Sequence, residues 1–149
     1  MTRLVNYMSA LLLALAFILF SDPAAQAQNP SRTSQEQLYK IMDPQDELTE
    51  DDVKIYLQHA DAIFRLRFEP GKVNETARLI GWSEKRFAYV TTKMAAGMSL
   101  LIKPDDSRNN SIPEFARPTR SETALIQRYQ TQLEAAMAQA QRAYAAGAN

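Results

Sequence analysis

His59 is the single histidine of this chain, and cysteine is absent. A lone imidazole cannot build a multi-histidine metal site, and without thiols there is no disulfide, thiolate ligand, cysteine nucleophile, covalent haem link or cysteine lipidation. No nucleophile and base stand beside His59 in a catalytic spacing. Its position on a narrow apolar stripe, with Asp52 two turns earlier, suits a half-buried, hydrogen-bonded side chain better than a ligand or pH sensor.

Three other groupings have residue types that carry chemistry elsewhere. The acidic run Asp43, Asp46, Glu47, Glu50, Asp51, Asp52 attracts cations in principle. It lacks the alternating oxygen ligands and turn glycine of a calcium loop, and negative charge ahead of a helix stabilises that helix regardless. Asp105, Ser107 and Asn109 fall at the ligand spacing of an EF-hand loop, with Ile112 at its apolar position. Yet Asn110 replaces the turn glycine, Pro113 follows, and Ala116 stands where a bidentate Glu is needed. Val73 to Val90 fits the mask of a DNA-reading helix-turn-helix, with Ala77, Ile80, Gly81, Trp82, Phe87 and Val90 at the apolar and turn positions. That mask asks only for a tight corner between packed helices. The 17 basic and 17 acidic residues balance, so no basic footprint supports nucleic-acid binding. No catalytic residue, metal ligand or cofactor is assigned. Asn74-Glu75-Thr76 and Asn109-Asn110-Ser111 match glycosylation sequons, which count only in a eukaryotic secretory pathway.

The elements that would position these groups are helices. Scarce glycine, 4 residues in 149, disfavours a turn-rich β fold. Thr49 with Asp52, and Leu48 with Val53, mark a capped and stapled start. From there Val53, Tyr56, Leu57, Ala60, Ile63, Phe64 and Phe68 form a broad face, and Ile55, His59, Ala62 and Leu66 a second stripe. A helix from Lys72 to Ile80 uses Val73, Ala77 and Ile80 and ends at Gly81 in the left-handed conformation. Ser83 caps the next helix, Trp82 and Phe87 staple it, and Pro104 ends it. It carries only Lys93 as a charge between Phe87 and Ile102. Residues 104–120 form a proline-bearing loop tacked down by Ile112 and Phe115. Thr119 and Glu122 start a last helix whose stripe is Ile126, Tyr129, Leu133, Met137, Ala140 and Tyr144. Met94, Met98 and Met137, with Tyr56, Tyr129 and Tyr144, read as core at helical spacing.

The expected architecture is all-α: a small bundle of four main helices, about 49–68, 72–80, 84–103 and 121–146. Residues 1–27 read as a signal peptide: Arg3, an apolar run from Ala10 to Phe20, a break at Asp22-Pro23, and the small-residue triplet Ala25-Gln26-Ala27. Cleavage after Ala27 would leave a mature chain from Gln28 with no stable membrane anchor, in the periplasm or outside the cell. Residues 28–47 form a polar leader with a short helix at Ser34–Met42, and 48–149 the helical domain.

Two functions fit. The first is a non-enzymatic envelope protein binding a partner protein or peptide, or a second copy of itself, through the patch Tyr89, Ala96, Leu100. The alternative is a carrier of a small apolar ligand held between helices.

Overall fold

Two threonines set the architecture. Thr49 accepts from the Asp52 amide while the Asp52 carboxylate accepts from the Thr49 amide, and Thr119 and Glu122 repeat the exchange. Each reciprocal box satisfies donors that a helix start otherwise leaves open. The computed structural model describes residues 46–102, 104–105 and 107–147. Among them are six α-helices and no strand: α1 Glu50–Gln58, α2 Ala60–Arg65, α3 Val73–Ile80, α4 Glu84–Ile102, α5 Arg120–Arg128 and α6 Gln130–Gly147. Short 3₁₀ turns at Pro70–Lys72, Ser107–Ser111 and Glu114–Ala116 join them. The expected signal segment with its cut after Ala27, the short helix at Ser34–Met42 and Asp43 lie outside the described residues.

The fold is all-helical as expected, but two of the four anticipated helices are each divided. The 49–68 helix breaks at His59 (φ −113°, ψ 19°), and 121–146 breaks at Tyr129 (φ −101°, ψ 5°). Both residues sit near the sparsely populated bridge region. Each ends one helix by donating its N–H backwards, then accepts the first bond of the next, from Ile63 and Leu133 respectively. Neither break carries proline or glycine, so the apolar pattern runs through them unchanged. The first pair also stops at Arg65, and Leu66–Phe68 continue as a turn.

The first broken pair lies along α6 and runs the same way. Glu50, at the start of α1, meets Arg128 and Tyr129. Beyond α2, Phe68 stacks on Tyr144 near the end of α6, with ring centroids 4.0 Å apart. The start of α1 therefore stands level with the Tyr129 break, and the two breaks fall at different heights along the packed helices. α2 on α6 is the most extensive helix contact among the described elements. Parallel helices bring two positive N-termini together, an unfavourable arrangement that carboxylates offset. Glu50, Asp51, Asp52 and Glu122 fill those first turns, which accounts for half of the acidic run.

α3 and α4 follow expectation. Gly81 closes α3 at φ 85°, a conformation that glycine adopts at little cost, and the Trp82 amide reaches back to the Ala77 carbonyl. Ser83 caps α4 through the Arg86 amide, and Trp82 packs on Phe87 at 6.3 Å. α4 is buried along nearly its whole length from Phe87 to Ser99. Val53, Ile63, Phe87, Val90, Met94, Ile126 and Leu133 form the centre of the core.

Gly97 marks the close approach of α4 to α5. A β-carbon there would lie 3.5 Å from Ile126 Cγ2 and Pro118 Cγ, and in outright collision with Ile126 Cδ1. Ile126 is fully buried and has nowhere to turn. Gly97→Ala should therefore be net destabilising by about 1 kcal/mol, the overpacking penalty exceeding the gain in helix propensity. Chemical denaturation checks this.

Candidate functional site

The stripe Tyr89, Ala96, Leu100 is not a free surface. Tyr89 and Ala96 are buried and Leu100 is half-buried. Ile112 and Ala116 pack on Ala96, with Leu100 and Phe115 beside them, so the 107–118 segment covers the outer part of the stripe. Arg117 gathers this segment by donating to the carbonyls of Asn109 (2.8 Å) and Ile112 (3.2 Å). Ser99 donates to the Asn109 carboxamide oxygen, whose nitrogen reaches the Pro104 carbonyl. Asn109, the third ligand position of the EF-hand-like spacing, is thus an internal fastener. Ile112 and Phe115 do tack the loop down.

Tyr89 instead belongs to a buried ionic centre. The Glu122 side chain has no exposed surface and that of Lys93 is 8% exposed. Glu122 Oε1 accepts from the Leu48 amide at 3.0 Å and the Tyr89 hydroxyl at 2.6 Å. Its Oε2 accepts from the Thr119 amide at 2.8 Å, with Lys93 Nζ 3.7 Å away. Lys93 in turn donates to the Arg117 carbonyl at 2.5 Å. Burial, reinforced by the Glu122 carboxylate, pushes the Tyr89 phenol well above its ordinary value. One carboxylate therefore caps α5 and also holds α4 and the chain entering α1. Charge-assisted bonds of this kind offset part of the cost of burying the ions.

Asp52 makes a second, shallower clasp. Thr49 donates to it from its amide (2.8 Å) and hydroxyl (2.7 Å), and Arg86 from Nε (3.2 Å). Arg86 Nη2 also pairs with it closely, while the guanidinium bonds the carbonyls of Asp46 and Glu47. The two clasps meet at Tyr89, whose ring lies under both Arg86 and Lys93.

Burial raises the Asp52 pKa, but the bonds from Arg86 and Thr49 outweigh it and leave the carboxyl below its ordinary value. A carboxyl depressed in the folded state contributes stability at neutral pH, and that contribution is lost as pH falls through the folded value. Stability should therefore fall on acidification below the ordinary aspartate range, and Asp52→Asn should flatten this part of the profile. Denaturation midpoints followed from pH 7 to about pH 2 span the window between the unfolded and the lower folded value.

The remaining candidates have structural placements. His59 is half-buried and forms the α1–α2 break; the expected Asp52 partner is engaged by Thr49 and Arg86 instead. Met94, Met98 and Met137 are core residues. α3 and α4 form the corner that the helix-turn-helix mask describes, and α4 is buried along most of its length from Phe87 to Ser99. Sequence reasoning missed the roles of Lys93 and Glu122; the signal was a single charge between Phe87 and Ile102, in the otherwise uncharged body of α4.

The outward-facing apolar residues lie elsewhere. Among the described residues, Leu79 (68% exposed) and Phe68 (51%) are the large apolar side chains most open to solvent. Leu79 borders a groove of about 230 Å³ where α2 meets α3, lined in part by Arg65, Leu66, Glu69, Lys72 and Glu75, while Phe68 stacks on Tyr144. Glu69 and Lys72 pair at 2.5 Å on its rim. No described helix is long and apolar enough to cross a membrane. In comparison with known proteins, the chain finds no significant match to a family model, a curated protein or a solved structure.

Proposed function

We propose that this chain is an exported, non-enzymatic helical protein that binds a partner protein or peptide of the bacterial cell envelope at the α2–α3 corner. The observation that carries the reading is the exposure of Leu79 beside a groove with charges of both signs. Leu79 supplies an apolar anchor, and Arg65 and Glu75 supply the flanking polarity. The matching partner is a segment with an apolar side chain set between an acidic and a basic residue, an arrangement that gives orientation as well as affinity. The export half of the reading rests on residues 1–27 and their Ala25-Gln26-Ala27 triplet.

Leu79→Asp places a charge on an already exposed position. It should leave helicity and the thermal midpoint unchanged and weaken binding to the purified partner by about tenfold or more, as loss of an interface anchor does. Equal binding by the folded variant would remove the α2–α3 corner from the account. N-terminal sequencing of the exported protein should return Gln28 as the first residue.

A further inference from the structure

We propose that Asp46–Leu48 is a strap, hinged at Thr49, that opens without unfolding of the helical core and bares the Tyr89–Lys93–Glu122 centre to solvent. Only one side chain of the strap, Leu48, is buried; Asp46 and Glu47 are exposed. The other fasteners are polar. Arg86 holds the carbonyls of Asp46 and Glu47, Ser121 donates to Glu47 at 2.7 Å, and the Leu48 amide donates to Glu122.

Such bonds are individually cheap to open because water replaces them. Beneath the strap lies an ion pair that regains hydration when uncovered, so opening here recovers part of the cost of burying charge. Opening the apolar centre around Phe87 and Ile126 returns nothing comparable. The movement stops at Thr49, whose bonds with Asp52 lie within the α1 capping box, so α1 stays capped.

Amine labelling of the native full chain with a small acetylating reagent tests the idea, with exposed Lys54 as reference. Lys93 should be labelled at least about tenfold faster than global unfolding allows, as for a sub-global opening. Ser121→Ala should raise that rate several-fold with the thermal midpoint unchanged, and Glu47→Gln, at the other end of the same bond, should do likewise. Labelling of Lys93 that tracks global unfolding, or that neither variant alters, overturns the proposal.

Discussion

Glu122→Ala is expected to lower the unfolding free energy by about 3–5 kcal/mol, the penalty for breaking a buried ion pair from one side. Three donors lose their acceptor at once: the Leu48 and Thr119 amides and the Tyr89 hydroxyl. Lys93, 8% exposed, keeps its bond to the Arg117 carbonyl but loses its counter-charge. Urea titration monitored at Trp82 measures the loss. Glu122→Gln should cost less. Its carbonyl oxygen still serves Leu48 and Tyr89, but its NH₂ group meets the Thr119 amide, donor against donor. A loss below about 1 kcal/mol for the alanine variant would mean that water replaces the carboxylate, contrary to a closed centre.

Phe87→Ala has a comparable expected cost, about 3–5 kcal/mol, for a different reason. The ring has no exposed surface. It stands in the first turns of α4 against Trp82, where the corner from α3 meets the core. Truncation removes most of the buried area of the ring and leaves a cavity among large neighbours that cannot all collapse into it. Phe87→Leu should recover more than half of the loss, because volume matters more than aromaticity when the ring carries no polar contact. Equilibrium denaturation of the two variants together decides between them. Equal losses would point to ring geometry rather than filled volume.

The sequence carried the local signals well. Thr49, Thr119, Ser83, Gly81 and the Trp82–Phe87 staple act within a few residues of themselves, so their chemistry shows in the chain. The apolar stripes of α3, α4 and α6 were equally readable. The breaks at His59 and Tyr129 were not. They involve no helix-breaking residue, and the apolar pattern runs through both without interruption. The ionic centre was hidden for a related reason: Tyr89 and Glu122 are separated by 33 positions and Leu48 and Glu122 by 74. Glu122 was visible as a capping acid, but not as the acceptor of a second helix's hydroxyl. The patch Tyr89, Ala96, Leu100 showed the converse. Its apolar character was readable; its covering came from a proline-bearing loop without helical periodicity and from the first turn of α5.

The division of roles has a consequence for function. α4 is committed to the interior by Phe87, Gly97 and the ionic centre, so the proposed recognition surface lies on other elements. α3 is short, follows a Pro-Gly turn and exposes Leu79, and the residues joining it to α2 carry the Glu69–Lys72 pair. Substitutions at Arg65 or Glu75 should alter partner preference more than stability, since single exposed charges contribute little to folding.

A double-mutant cycle tests most directly whether one buried ionic centre organises this fold. Glu122→Gln and Lys93→Met should each destabilise the protein, because each leaves the other partner without its counter-charge. Combined, they should cost at least about 1 kcal/mol less than the sum of the two, since neither charge is then stranded. Losses that add to within about 0.3–0.5 kcal/mol would show that the two side chains act independently, and would contradict the account.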